Sequence, residues 1–195
     1  MSGKAHLDGG KTVVEIAING QGSTMKELVS TLSGHVSSVT GKGQINYDLS
    51  LAGENLVFNL FKMMNPLKEK QETTNLDCMV ARFDIEDGIA TIDKGLAYES
   101  ESLKILGNGT FDLNSEKINI LLSSKSTVAS FLQVKGSLGK PEVKVNPVTA
   151  LQKGTSLWAA IMTGGISMAA EIVFDYVTSD GSPCEIAQRE INPIE

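Results

Sequence analysis

Aromatic side chains are scarce in this sequence: six Phe, three Tyr and one Trp make up 5% of 195 residues. Any core must therefore rely on aliphatic side chains. Histidine is scarcer still, with only His6 and His35, which leaves little room for a His-based catalytic or metal centre. Basic residues are outnumbered, 17 Lys and Arg against 23 Asp and Glu, for a formal charge of −6. That balance argues against a general nucleic-acid binder, whose affinity rests on cations meeting phosphates. No uncharged apolar run reaches the roughly 18–20 residues that cross a bilayer. The closest, Leu157 to Ala170, has 14 residues and includes Thr163, Gly164, Gly165 and Ser167. It fits a buried or interfacial helix. No secretory leader is read at Met1-Ser-Gly-Lys. What remains is 41% hydrophobic and 21% charged, an ordinary folded composition at the length of one domain.

The periodicity is mostly that of strands. Val14, Ile16 and Ile18 alternate over Lys11 to Asn19, closed by Gly20 and Gly22. Thr24 and Glu27 stand at capping-box spacing, which predicts a short helix over Thr24–Ser33 with Met25, Leu28, Val29 and Leu32 on one face. Val36 and Val39 lead to Gly41-Lys42-Gly43 and Gln44-Ile45-Asn46-Tyr47. A second helix is predicted over Asn55 to Met64, before Pro66. Residues 65–75 read as a loop.

Beyond it the pattern is steadily β. Met79, Ala81, Phe83 and Ile85 alternate with Val80, Arg82 and Asp84, and Glu86-Asp87-Gly88 turns the chain into a hairpin partner at Ile89–Asp93. Leu103 and Ile105, then Ile118, Ile120 and Leu122, then Phe131–Leu138 and Glu142–Val145 extend the series. Strand, turn and strand recur every 8–12 residues or so, as in antiparallel sheet. Val148–Thr155 and Leu157–Val177 read as helical, bent at Gly164-Gly165. Ser179–Pro183 is a loop before a short charged end that holds Cys184. Gly41-Lys-Gly, Gly107-Asn-Gly and Lys135-Gly-Ser form a weak internal echo, read as glycines at strand bends or as related β-units.

Catalytic signatures fail. Val36 stands where a P-loop needs its first Gly, and Gly43 follows Lys42 where Ser or Thr is required. No Gly-x-Ser-x-Gly elbow and no EF-hand spacing occur. Asp84, Glu86, Asp87 and Asp93 surround a turn and read as solvated. Asn108-Gly-Thr matches a glycosylation sequon in a Gly-flanked strand. Cys78 and Cys184 are 106 positions apart. By spacing alone they are either a bridge stapling the tail to the sheet or two unrelated buried thiols.

Several stretches, in order, carry a resemblance. They are Gly20-Gln-Gly-Ser-Thr-Met-Lys-Glu-Leu-Val-Ser-Thr-Leu-Ser-Gly34, Gly41-Lys-Gly-Gln-Ile-Asn46, Leu76-Asp-Cys-Met-Val-Ala-Arg-Phe-Asp-Ile-Glu-Asp-Gly-Ile-Ala90, Leu106-Gly-Asn-Gly-Thr-Phe-Asp-Leu113, Glu116-Lys-Ile-Asn-Ile120 and Val134-Lys-Gly-Ser-Leu-Gly-Lys-Pro-Glu-Val143. Over residues 10 to 185 the chain resembles the C-terminal region of the AsmA family of bacterial envelope proteins. The resemblance implies a periplasmic module of a protein anchored in the inner membrane by a helix missing from this sequence. It also implies outer-membrane biogenesis, with phospholipid or another envelope lipid, or an envelope protein, as partner. An oxidising periplasm in turn favours the Cys78–Cys184 bridge.

The expected fold is β-rich α+β: a curved antiparallel sheet or groove of about seven to nine strands, a short N-terminal helix and C-terminal helices. Residues 1–10 are expected to be a disordered or added leader, 11–146 the β-rich domain and 147–195 a helical tail packing on the sheet. No catalytic residue, metal or cofactor is expected. A lipid groove would be lined by inward-alternating Met79, Phe83, Ile85, Leu103, Ile105, Ile118, Ile120, Leu122, Leu132 and Val134, which describe an ordinary β-core equally well. The competing expectation is a closed-core module that docks a partner in the envelope assembly machinery.

Overall fold

The computed structural model describes residues 6–46, 73–101, 103–124, 130–147 and 181–191. Its elements are β1 (His6–Gly9), β2 (Thr12–Asn19), α1 (Met25–Ser30), β3 (Ser33–Thr40), β4 (Gly43–Asn46), β5 (Thr73–Glu86), β6 (Ile89–Ser100), β7 (Lys104–Asp112), β8 (Lys117–Ser124), β9 (Ser130–Ser137), β10 (Lys140–Pro147) and α2 (Pro183–Ile191). The strands form one antiparallel sheet, with β5 to β10 as a meander in chain order. β5, at 14 residues, is long enough to serve two shorter strands end to end. Its later part pairs β3, Gly34–Thr40 against Ile85–Met79, and its start pairs β4. β2 pairs β3 and β1 pairs β4.

Local chemistry explains the turns. Asp87 and Gly88 have φ of 48° and 75°, the left-handed pair that joins two twisted strands in a two-residue hairpin. Between β7 and β8, the Asp112 carboxylate accepts from the Asn114 and Ser115 amides at 2.9 and 3.0 Å. The Ser115 hydroxyl donates to the same carboxylate, and these bonds hold its pKa below the ordinary range.

The capping box forms as the sequence predicts: the Thr24 hydroxyl accepts from the Glu27 amide at 3.2 Å, and the Glu27 carboxylate accepts from the Thr24 amide at 3.2 Å. The helix itself is shorter than its expected span, because Ser33 opens β3. No α1 side chain is buried and Met25 is 76% exposed. The apolar face expected there is at most half-buried, at Val29 and Leu32, with the Leu28 and Leu32 methyl groups over Gly20, and caps and tethers hold the turn in place. Among these, the Thr31 hydroxyl bonds to the Gln21 carbonyl and the Gly88 amide donates to the Leu32 carbonyl at 2.9 Å.

Three other boundaries differ from expectation. The leader expected over residues 1–10 contains a strand, because His6–Gly9 finds Gly43–Asn46 as partner. The loop expected to end at residue 75 ends earlier, since Thr73–Asn75 pair β4. The charged C-terminal end contains α2: Pro183 opens it where a missing amide costs nothing, and the Ser182 carbonyl accepts from the Ile186 amide at 3.1 Å. The helices expected over Asn55–Met64, Val148–Thr155 and Leu157–Val177 lie outside the described residues.

Two irregularities break the simple alternation. The β5–β6 register slips between Leu76 and Cys78, which returns Leu76 to the same face as Phe83. Opposite Ala81–Asp84, β6 carries extra residues at Asp93-Lys94-Gly95, with Lys94 at φ 49°. The Lys94 amide donates to the Asn108 side-chain oxygen at 2.6 Å. Asn108 is 3% exposed, so the sequon residue serves as a bulge anchor rather than a surface acceptor.

The glycines of the internal echo have local uses. Gly41 and Gly43 border the break between β3 and β4. Gly109 lies in β7 at φ 153°, where a Cβ would sit 2.2 Å from the Asn119 carbonyl oxygen. Gly109→Ala should therefore lower unfolding stability by at least about 2 kcal/mol in denaturant titration. Gly139→Ala is the control: the nearest atom to its Cβ is 3.9 Å away, and its midpoint should barely move.

Candidate functional site

The register sorts the apolar side chains into rows that cross the strands on one face. One row runs Ile85–Ala90–Phe111–Ile118, another Ile92–Gly109–Ile120–Val134–Val143, and a third Ala81–Leu96–Gly107–Leu122–Leu132. Directly opposed residues share a face, so these rows are contiguous. Leu132 at 0%, Leu76 and Ile92 at 2% and Val134 at 3% exposure mark the buried centre. Glycines in the rows make room for neighbours: a Cβ on Gly107 would meet Leu122 Cδ2 at 2.8 Å.

Eight of the ten candidate lining residues, Phe83, Leu103, Ile105, Ile118, Ile120, Leu122, Leu132 and Val134, belong to this single cluster. Phe83 and Phe111 meet edge to face with ring centroids 5.8 Å apart. Met79 and Ile85 occupy the same face through the β5 alternation but lie outside the cluster, and Met79 is 41% exposed. The face does not stop at β5. Phe83 is opposite Val36, which is opposite Ile16, while Ile85 leads through Gly34 to Ile18 and Ala81 through Ser38 to Val14. Ile16, Val14 and Ile18 are 62%, 56% and 47% exposed. An apolar face thus passes from a dry centre to an exposed strand.

The opposite face is not uniformly polar, contrary to the expected alternation. Val80, Ala97 and Leu106 are buried there with Cys184 and Ala187 of α2, and Val39, Cys78 and Ile186 pack around them. Ala187 has 0% exposure. The helix removes apolar area from water on the side where a solvated sheet would carry polar residues.

A row of three side chains fixes the start of α2. Cys78 is opposite Glu99, and Glu99 is opposite Lys104. Cys78 and Cys184 form a disulfide with Cα atoms 6.4 Å apart. Lys104 Nζ lies 2.6 Å from Glu99 Oε1, and the Ser182 hydroxyl donates to Glu99 Oε2. Burial raises the Glu99 pKa, but the hydrogen bonds from Lys104 and Ser182, the Lys104 charge and the Cys184 amide outweigh it, so the pKa is lowered overall. A carboxylate against the first turn of a helix also complements its dipole.

The ligand atoms of Cys78, Glu99 and Cys184 lie within 4.8 Å of one another. Such a set suits a metal only when both sulfurs are free thiolates, and here they are bonded to each other. The constellation is a structural clamp. Of the remaining polar candidates, His35 Nε2 lies 3.6 Å from Glu15 Oε1 on the exposed β2–β3 surface. Asp84 is paired with Arg82 at 3.1 Å.

Sequence reasoning found the cysteines but missed the clamp around them. The signals were present: Ser182-Pro183-Cys184-Glu185 combines a cap residue, Pro at the first helical position and an acidic first turn. Comparison with family models, curated proteins and solved structures yields no match to this chain.

Reduction of the disulfide, or Cys184→Ser, should free α2. Its amides should lose exchange protection while those of β7 and β8 keep theirs. A closed loop of this length puts the stability loss at up to about 4–5 kcal/mol. Glu99 adds a pH dependence. Its folded pKa lies below its unfolded one, so its contribution is complete above the ordinary glutamate range and is lost as pH falls through the folded value. Between about pH 5 and pH 3 the melting temperature should fall more steeply for the native protein than for Glu99→Gln.

Proposed function

We propose that this chain is a non-enzymatic periplasmic module of an AsmA-like, inner-membrane-anchored protein. In this reading it carries phospholipid or another envelope lipid along the apolar face of its sheet, which acts as a curved groove. The observation that carries the reading is the continuity of that face from the buried Leu132–Val134 centre to exposed Met79, Ile16, Ile18 and Val14. A lipid conduit needs no reacting group, only a strip of apolar side chains long enough to replace water along an acyl chain. Each buried methylene is worth about 0.8 kcal/mol. The Cys78–Cys184 disulfide supports an oxidising compartment.

A second reading, a closed-core module that docks an envelope assembly partner, is favoured by one observation. Leu103, Ile105, Ile120, Leu132 and Val134 are all at most 6% exposed. An acyl chain would have to displace whatever covers them.

Native mass spectrometry with solvent extraction separates the two readings. Protein purified from an oxidising compartment should carry adducts of phospholipid mass that survive gentle activation. Met79→Asn with Val36→Asn should reduce them severalfold, with little loss of melting temperature, because Met79 is 41% exposed and Val36 only half-buried. A clean apo mass with no lipid on extraction transfers the conclusion to the closed module.

A further inference from the structure

The β2 strand is an open edge. Among the described residues it pairs with β3 alone, and every one of its eight residues is exposed. The Gly41 amide donates to the Lys11 carbonyl at 3.0 Å, which fixes the phase of the ladder. Lys11, Val13, Glu15 and Ala17 turn their backbone groups toward β3, so Val14, Ile16 and Ile18 turn theirs outward. Glu15 is the one charged residue in Thr12–Asn19. Long, apolar and nearly uncharged edges are what folded proteins ordinarily blunt.

We propose that this edge is a self-association site: two copies join antiparallel through β2, with the two-fold axis at Ile16. The strand is its own complement in this register. Val14 of one copy faces Ile18 of the other and Ile16 faces Ile16, so each outward amide meets an outward carbonyl. Glu15 then faces Ala17 of the second copy. An axis at Glu15 would set two carboxylates directly opposite. An axis at Ala17 would run Val14 against Gly20, beyond the end of the strand. Gly9 and Gly10, at φ 77° and 71°, break the edge before β1 and limit the pairing to β2. The axis stands perpendicular to the sheet, so the apolar faces of the two copies join on one side. A single-strand seam is smaller than a standard interface of about 1,600 Å², so the dimer belongs to the weak, transient class and its population depends on concentration.

Sedimentation velocity and amide exchange across a concentration series test the proposal, at an ionic strength of about 0.15 M so that distant charges are screened. The mass should rise from monomer to dimer, and the amides of Val14, Ile16 and Ile18 should slow in parallel. Those of Val13, Glu15 and Ala17 should be protected at every concentration. Ile16→Lys, at a position 62% exposed, should leave the fold intact and weaken association at least about tenfold by opposing two ammonium groups. Ala17→Lys should tighten the dimer a few-fold and Ala17→Glu should loosen it, through Glu15 of the second copy. A monomer at all concentrations overturns the proposal, as does a dimer whose Val14, Ile16 and Ile18 amides stay fast. Both Ala17 variants shifting association in the same direction overturns it too. So does protection of β2 that appears only with added phospholipid vesicles, which would assign the edge to that occupant.

Discussion

Every arrangement described above depends on the backbone ladder along β5. This one strand presents hydrogen-bonding edges to β3 and β4 on one side and to β6 on the other, and its length exceeds that of any partner. Its register decides which side chains share a face across the sheet. Because side-chain direction alternates with period two, a slip of one residue would exchange the two faces wholesale. The extra residue at Asp77 exploits that rule locally. It lets Leu76 join the cluster around Ile92 and Tyr98 while Cys78 and Val80 face α2.

The two faces then acquire different characters. One gathers Ile, Leu and Val in cross-strand rows and stays apolar out to the β2 edge. The other is divided between polar residues and a patch shielded by α2. Helix and sheet are held by unlike forces: burial of Ala187 and Val80, a covalent bond, and a charged row whose carboxylate is met by a lysine, a hydroxyl and an amide. These act together, because the Ala187 packing and two of the Glu99 donors exist only while α2 is docked; Glu99 without its donors would be a half-buried charge, which is costlier than no charge at all.

The meander from β5 to β10 was legible in the sequence because its strands are rich in Ile, Leu and Val and its turns carry Asp, Asn and Gly at the positions that need them. The disulfide was legible as one of two possibilities. β3 was not, since Ser33-Gly-His-Val-Ser-Ser-Val-Thr40 carries few β-favouring side chains and forms a strand only because β2 and β5 flank it. β1 escaped notice for the same reason. The apolar stripe of α1 was legible, but not that it would stay without a fully buried residue, with caps at Thr24 and Thr31 holding its six residues. The bulge at Asp93-Lys94-Gly95 depends on Asn108, 14 residues further on, and no local pattern announces such a contact. For the candidate site, the alternation identified eight members of one cluster. It could not show that the face reaches β2, because that depends on the non-local pairing of β3 with β5.

The sequence separation of the disulfide fixes its place in the order of assembly. From β5 onward the sheet closes mostly short loops between neighbours, which lets pairing proceed locally and quickly. Cys78 and Cys184 stand 106 residues apart, and bringing such distant thiols together by chance is slow and entropically unfavourable. A sheet formed first would hold Cys78 on β5 beside Glu99, so that only the arrival of α2 is needed to bring the second thiol to it. The bond then works as a chemical latch: it closes only across the native topology, and once closed it denies the unfolded chain the separation of those two points.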